Sequence, residues 1–258
     1  MNIVVCVKHV PDAQGDRHFE DDYTTDRSGD GLLSELDEYA VEEALKLAES
    51  SGGEVTVLTV GPDAAGDAIK KALQMGADKG VLVSDDGIAG SDALGTSLVL
   101  AEAIKKVGSP DLVLTGMAST DGTMGVLPAM LAERLGLPQV TMSAAITVAD
   151  GSVSARRDGD AASETIVASL PALVSVTDQI NEPRYPSFKG IMAAKKKPVE
   201  SWTLADLGID PAAVGLGGAY TQVTSVTRRP PRAQGEIVTD EGDGGTKLAA
   251  FLSARKFI

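Results

Sequence analysis

The sequence predicts an α/β fold with a parallel sheet flanked by helices, an antiparallel extension and an extended C-terminal arm. Four short apolar runs, at 3–7, 55–60, 80–83 and 112–115, alternate with helical patterns. This order is typical of β-crossover-α units and therefore of a parallel sheet. Strand-like segments joined by turns follow between 140 and 177. Aromatic residues make up only 3% of the chain, which favours helices packed closely on a sheet over a β-sandwich.

The helices between these strands have recognisable ends. Helices are predicted over 38–50, 65–75, 92–107 and from about 127 to 135. Ser34 and Asp37 fit a capping box before the first helix, and Gly52 ends it. Pro128 lies in the first turn of the fourth helix, where a missing N–H does no harm, and Gly136 ends that helix.

The C-terminal half changes character after Gln139. Segments 140–148, 153–157 and 164–169 alternate as strands do and are joined by Asp-Gly turns, which predicts an antiparallel ribbon. We expect one α/β domain over 1–200. Residues 201–258 are expected to form an arm that packs on another subunit, because Leu248, Phe251 and Leu252 at helical spacing need an apolar partner; disorder is the alternative.

Composition and charge exclude several classes of function. The net charge of −14 argues against nucleic-acid binding and against anionic membranes, since phosphate surfaces need basic partners. The single cysteine, Cys6, excludes an internal disulfide and suits a reducing compartment. The chain opens with a strand pattern instead of a signal peptide, and no run reaches the roughly 18 apolar residues of a membrane span. We therefore expect a cytoplasmic protein without stable membrane insertion.

The candidate site lies where the predicted parallel strands end. Ligands of such sheets bind off the carboxyl ends of the strands, here 6–8, 34–37, 60–62 and 116–126. Strand 112–115 runs through a glycine-containing loop into a helix N-terminus, where N–H groups and the helix dipole favour an anion. Glycines that serve only the turn are the alternative, since no standard phosphate-loop motif is present. No catalytic constellation is evident, and the two histidines lack metal-ligand spacing.

Four stretches identify the family that the chain resembles. They are VVCVKHVPD, DEYAVEEALKL, RRDGDAASETIVASLPALVSV and NEPRYPSFKGIMAAKKKP. Over its whole length the chain resembles the β subunit of electron-transfer flavoprotein. The resemblance implies a Rossmann-like, adenine-nucleotide α-hydrolase-like fold and a heterodimer with an α subunit. That heterodimer accepts electrons from flavin dehydrogenases, such as acyl-CoA dehydrogenases, and passes them to a quinone oxidoreductase or another acceptor. The resemblance also implies that FAD is held mainly by the α subunit and that this chain holds a structural AMP. No catalytic residue is assigned in this chain.

The resemblance also implies which residues contact the nucleotide. The expected cofactor-binding residues are Cys6, Ser34, Glu35, Leu36, Asp37, Val60, Gly116, Met117, Ala118, Ser119, Asp121, Thr123, Met124, Gly125 and Val126. The N–H groups of 123–126 would bind the phosphate at a helix start. Asp121 would accept a ribose hydroxyl or, the favoured role, cap that helix. Many relatives have Asn-Gln-Thr-Gly-Gln where this chain has Asp121 to Gly125, so the amide contacts would be lost. By position, Ala13 and Leu36 would lie near the flavin.

The resemblance further implies a partner-docking segment over 181–197. Its expected contact residues are Pro183, Arg184, Tyr185, Phe188, Lys189, Ile191, Met192, Lys195, Lys196 and Lys197. Phe188 would be the apolar anchor, the prolines would stiffen the segment, and the lysines would form a basic rim. A core phenylalanine beside solvated lysines is the alternative.

Two rival functions remain open. One is an electron-bifurcating electron-transfer flavoprotein, in which a second FAD replaces AMP in this chain. The other is a nucleotide-hydrolysing or nucleotide-sensing domain of the universal-stress or ATP-pyrophosphatase kind. The second rival would need a triphosphate loop, and none is evident.

Overall fold

The computed structural model describes residues 1–235 and 237–258, which divide into two compact units, Met1–Thr224 and Ser225–Ile258. The strands are β1 Asn2–Cys6, β2 His9–Pro11, β3 Gly31–Leu33, β4 Glu54–Val60, β5 Lys79–Val83, β6 Leu112–Gly116, β7 Gln139–Ala149, β8 Ser152–Asp158, β9 Ser163–Ser169, β10 Ala172–Val176 and β11 Val199–Trp202. The helices are α1 Glu35–Ser51, α2 Gly66–Met75, α3 Ala93–Val107, α4 Leu127–Leu135, α5 Phe188–Ala194, α6 Gly215–Gly218 and α7 Gly244–Ala254.

Among the described residues, nine strands form one sheet in the order β11-β5-β4-β1-β6-β10-β7-β8-β9. The strands from β11 to β7 run parallel, and β8 and β9 continue the sheet antiparallel as the ribbon that the sequence predicts. The remaining pair, β2 and β3, forms a separate hairpin. The predicted α/β fold, a Rossmann-like parallel sheet flanked by helices with an antiparallel extension, is confirmed.

Successive side chains of the parallel strands point to opposite faces of the sheet, and helices cover both faces. Val5 and Val57 point to the face covered by α1 and α2, whereas Val4 and Leu58 point to the face covered by α3 and α4. All four side chains are buried. Strands buried on both faces read as continuous apolar runs, which is the pattern of 3–7 and 112–115.

The strand order places a topological switch point between β1 and β6. The chain moves from β1 to β4 to β5 on one side, and α3 then carries it back across to β6 on the other side of β1. Cys6 of β1 lies opposite Thr115 of β6. In open α/β sheets the crevice outside the carboxyl ends at such a point is the usual ligand site. The fold therefore singles out one place on the sheet edge.

The boundary expected at 200/201 is wrong and moves to 224/225. Strand β11 pairs in parallel with β5, so residues 199–202 complete the sheet. Trp202, Leu204 and Val214 are buried in the same core cluster as the inner residues of α3. A short 3-10 helix, Ala205–Leu207, follows β11. Residues up to 224 thus belong to the α/β unit.

The second unit contains α7, Gly244–Ala254. Its Leu248, Phe251 and Phe257 side chains are exposed. Packing of this arm on another subunit stays a prediction. Within the described part of the chain, no helix has the length and apolar character needed to cross a membrane.

Candidate functional site

At the switch point the Asp37 carboxylate joins the ends of β1 and β6. The Lys8 N–H donates to Asp37 Oδ2 at 2.8 Å, and the Gly116 backbone also hydrogen-bonds the carboxylate. A Cβ at position 116 would overlap Asp37 Oδ1, so only glycine fits there. The predicted capping box is therefore wrong. Ser34 is the N-cap by position, but its side chain makes no cap bond, and its N–H donates to the Lys8 carbonyl and not to the Asp37 carboxylate.

Burial has the largest effect on the pKa values of Asp37 and of its neighbour Cys6. Burial raises the pKa of Asp37 to about 7, against the opposing effects of the Lys8 N–H and the Lys8 charge. Burial and the nearby Asp37 raise the pKa of the Cys6 thiol to about 12. Cys6 is therefore a buried neutral thiol at physiological pH.

Asp121 forms ion pairs with two cations from other parts of the chain, Lys8 and Arg27. Its carboxylate, 3% exposed, is 2.8 Å from Lys8 Nζ and 2.8 Å from an Arg27 guanidinium nitrogen. Burial works to raise the pKa of Asp121, but Lys8, Ser119 and Arg27 outweigh it and hold that pKa well below its usual range. The favoured helix-capping role of Asp121 is wrong, since Val126 is the N-cap of α4 and no side chain caps it.

The loop after β6 presents backbone donors. Thr123 and Gly125 have positive φ angles of 49° and 67°, and such left-handed residues turn successive N–H groups into an anion-binding concavity. The Thr123 N–H donates to the Ser119 carbonyl at 3.0 Å, so it is already used. In the part of the chain that the structure describes, the N–H groups of Met124, Gly125 and Val126 have no acceptor. Three of the four predicted phosphate donors are therefore available.

The fold brings all predicted cofactor-binding residues to one edge of the sheet, in three levels of exposure. Cys6, Ser34, Asp37 and Gly116 are buried; Leu36, Val60, Met117, Ala118, Ser119 and Asp121 are partly buried; Glu35, Thr123, Met124, Gly125 and Val126 are exposed. Two buried hydroxyl oxygens here, Ser34 Oγ and Thr115 Oγ1, have no hydrogen-bond partner among the described residues. Buried polar atoms are normally paired, but Thr59, Ser143 and Asn181 also hold such an atom, so this feature does not mark the site.

Two basic residues near the site, Arg17 and Arg27, were not predicted from the sequence, whereas Lys8 was expected as part of the strand end 6–8. Lys8 and Arg27 contact Asp121, and the Arg17 guanidinium donates to the Thr120 carbonyl at 2.6 Å. Lys8 lies two residues after the end of β1, so its position gave a signal. Arg17 and Arg27 lie in the irregular loop 12–30, far along the chain from their partners, and no local pattern marks them.

A separate cavity of about 100 Å³ lies at the opposite edge, lined by residues that include Asn2, Glu54 and Lys79 at the amino ends of β1, β4 and β5. It is too small for a nucleotide, whereas ligand pockets usually exceed about 300 Å³. Among the described residues, no group of three or more His, Cys, Asp or Glu side chains could hold a metal ion. The site at the carboxyl ends of β1 and β6 therefore remains the candidate.

The docking segment, residues 181–197, projects apolar side chains into solvent. Tyr185 is 91% exposed and Phe188 is 81% exposed. Phe188 begins α5, whose N-cap Ser187 accepts from the Gly190 N–H at 3.0 Å. Ile191 and Met192 are also exposed. The alternative of a core phenylalanine is thus excluded for this chain alone.

The basic residues of the docking segment divide into two sets. The Arg184 guanidinium bonds Glu42 and Glu49 of α1, and Lys197 Nζ donates to backbone carbonyls at the end of α2. Lys189, Lys195 and Lys196 are exposed, and none forms an ion pair with a carboxylate in the described residues. Of the five basic residues expected to contact a partner, Arg184 and Lys197 bond within this chain, and contact of all five with a partner stays a prediction.

Known proteins resemble this chain over its full length. Residues 23–207 match the family model described as "Electron transfer flavoprotein domain". The chain is 49% identical to the electron transfer flavoprotein subunit beta of Mycobacterium leprae, covering 100% of this chain and 99% of that protein. It is 47% identical to the same subunit of Mycobacterium tuberculosis with equal coverage. It is 37% identical to the "Caffeyl-CoA reductase-Etf complex subunit CarD" of Acetobacterium woodii, over 93% of this chain and 92% of that protein. The chain belongs to the electron transfer flavoprotein family, as a relative of its β subunits.

Proposed function

We propose that this chain is the β subunit of a cytoplasmic, heterodimeric electron carrier. The heterodimer accepts electrons from flavin dehydrogenases, such as acyl-CoA dehydrogenases, and passes them to a quinone oxidoreductase or another acceptor. FAD is held mainly by the α subunit, and AMP fills a structural role in this chain. The observation that carries the proposal is the crevice at the switch point, which presents donors for a nucleotide but has no catalytic constellation among the described residues.

The residues present fit AMP. The available N–H groups of 124–126 suit a phosphate at the start of α4. Lys8 and Arg27 share a single carboxylate, Asp121, so the cluster keeps an excess positive charge for an anion.

The electron-carrier role needs contact surfaces in place of a substrate site. The docking segment offers the exposed Phe188 and Tyr185 to a dehydrogenase. The arm, with exposed apolar residues on α7, is proposed to bind the α subunit. Deleting Ser225–Ile258 should then abolish co-purification with that subunit, and intact pairing would contradict the arm's role.

Co-expression with an α subunit tests the whole proposal. Acid extraction of the purified heterodimer should release one FAD and one AMP, and this chain expressed alone should carry no flavin. Two FAD per heterodimer without AMP would replace the proposal with the bifurcating alternative. Turnover of a nucleotide by this chain alone would overturn it in favour of the nucleotide-hydrolysing class.

A further inference from the structure

Arg184 fastens the start of the docking segment to α1. Its Nε donates to Glu42 Oε2 at 2.7 Å, and a terminal nitrogen donates to Glu42 Oε1 at 3.1 Å. The same terminal nitrogen donates to Glu49 Oε2 at 3.2 Å, and the Arg184 backbone N–H donates to Glu42 Oε2 at 3.1 Å. Arginine can bridge two carboxylates because its planar fork carries five donors. We call Arg184, Glu42 and Glu49 the clamp.

Further contacts hold the segment at its other end and in its middle. Lys197 Nζ donates to the carbonyls of Leu73 and Gly76, at 3.2 and 2.9 Å, where α2 ends. Lysine at a helix C-terminus satisfies carbonyls that lack helical partners. At Gly190 in α5, the position that a Cβ would take lies 2.5 Å from the Gln74 carbonyl oxygen. The backbone of α5 therefore rests directly on α2.

The held segment presents a defined surface. Phe188 and Tyr185 protrude, and Lys189, Lys195 and Lys196, which form no ion pair within the described residues, are exposed on the same segment. A partner that fits this surface has an apolar socket ringed by carboxylates.

We propose that Arg184 is a positioning residue, which orders the docking segment before the partner arrives. The proposal rests on the proposed function, because the partner is the electron-donating dehydrogenase. Binding a disordered loop costs the entropy of ordering it, and a segment ordered in advance avoids that cost. Loss of the clamp therefore weakens docking, but it leaves the electron-transfer step within the docked complex unchanged.

The clamp and the three exposed lysines make different kinetic contributions. Exposed charges steer a partner, and their effect falls with ionic strength. The clamp cation is already paired within this chain, so it contributes order but no steering. The contributions of the clamp and of the three lysines can therefore be distinguished by the ionic-strength dependence of kcat/KM.

The test uses the full heterodimer as the electron acceptor of an acyl-CoA dehydrogenase reduced by its acyl-CoA. In Arg184→Gln we expect the KM for the heterodimer to rise about tenfold at unchanged kcat, and in Arg184→Lys by a smaller factor. In Arg184→Lys, which keeps the charge at this position, the ionic-strength slope of kcat/KM should equal that of the wild type. In the control variant Lys195→Gln/Lys196→Gln, that slope should become shallower. An unchanged KM in Arg184→Gln, or a changed salt slope in Arg184→Lys, would overturn the positioning role.

A milder variant and a second measurement guard against loss of folding. Glu49 is 60% exposed, so Glu49→Gln removes half of the clamp without disturbing the core, and a two- to threefold rise in KM is expected. Hydrogen exchange of the amides of 185–194 in the free heterodimer should quicken in both variants. If exchange quickens while the wild type accepts no electrons from the dehydrogenase, the proposed function fails and the clamp stands. If exchange is unchanged, the clamp itself is refuted.

Discussion

The crevice and the clamp use the same interaction with opposite charge ratios. In the crevice, two cations, Lys8 and Arg27, share one carboxylate, Asp121. In the clamp, one cation, Arg184, is shared by two carboxylates, Glu42 and Glu49. The first arrangement leaves positive charge for an anionic ligand, whereas the second leaves none. Both clusters contain opposite charges, so the presence of ion pairs does not distinguish them. What distinguishes a cluster that can bind an anion from one that fixes a segment in place is the ratio of cations to carboxylates.

The largest expected effect concerns Asp37, the buried carboxyl group at the ends of β1 and β6, and its effect on the pH dependence of stability. Burial raises the pKa of Asp37 to about 7, from an ordinary 3.8. A carboxyl with a raised folded-state pKa stabilises the fold fully below pH 3.8, and that contribution is lost as pH rises through 7. In Asp37→Asn, unfolding free energy relative to wild type should therefore rise between pH 4 and 8, by up to about 4 kcal/mol.

Urea unfolding of the full chain at several pH values measures this effect. Glu102→Gln is the matched control, because Glu102 forms only a surface pair with Lys105. Its profile should run parallel to that of the wild type. A profile of Asp37→Asn that also stays parallel would show that the Asp37 pKa is not raised.

The second-largest expected effect tests the cluster of two cations, Lys8 and Arg27, around Asp121. Asp121→Ala leaves Lys8 and Arg27 without their shared carboxylate, and these side chains are 40% and 30% exposed. Removing one partner of a buried pair costs about 3–5 kcal/mol, but these cations can turn to water, so about 2 kcal/mol of unfolding free energy should be lost. Glu102→Gln again serves as control, with a loss below about 0.5 kcal/mol. Equal losses in the two variants would contradict the structural role of Asp121.

The sequence predicted most strands of the sheet, with β11 as an exception, but it did not predict the charge clusters. Strands such as β1 and β6 read as short apolar runs, because they are buried on both faces. The Arg27 contact with Asp121 joins residues 94 positions apart, through a loop without periodicity. Propensity and spacing describe neighbours along the chain, so contacts of this kind were beyond their reach. The role expected for Asp121 failed for the same reason: a local cap was inferred where distant cations lie.

The docking segment shows a similar limit. Its exposed anchor, Phe188, was expected from the family resemblance, and the structure places that side chain in solvent. The two roles of its basic residues were not expected, because Arg184 and Lys195 look alike in a sequence. Only the packing of 181–197 against α1 and α2 separates a cation that holds the segment from one that faces outward.

A smaller effect tests the anchor. In Phe188→Ala, kcat/KM for electron transfer from the dehydrogenase should fall about tenfold, equivalent to about 1.4 kcal/mol, since an exposed aromatic anchor contributes by filling a partner's socket. FAD content and unfolding free energy should stay at wild-type values, because the side chain is 81% exposed. Phe19→Ala is the control, since Phe19 is exposed outside the docking segment. A comparable fall in both variants would refute a specific anchor.

The smallest effect tests whether α5 must rest on α2. A methyl group at Gly190 would lie 2.5 Å from the Gln74 carbonyl oxygen, so Gly190→Ala must lift α5 from its support. Gly217 has nothing within 4 Å of the Cβ position, which makes Gly217→Ala the matched control. We expect kcat/KM to fall two- to threefold in Gly190→Ala and to stay unchanged in the control, with unfolding free energy reduced by about 1 kcal/mol or less. Because the clamp still holds Arg184, this loss should be smaller than that of Arg184→Gln. A larger loss would transfer the main positioning role from the clamp to the contact between α5 and α2.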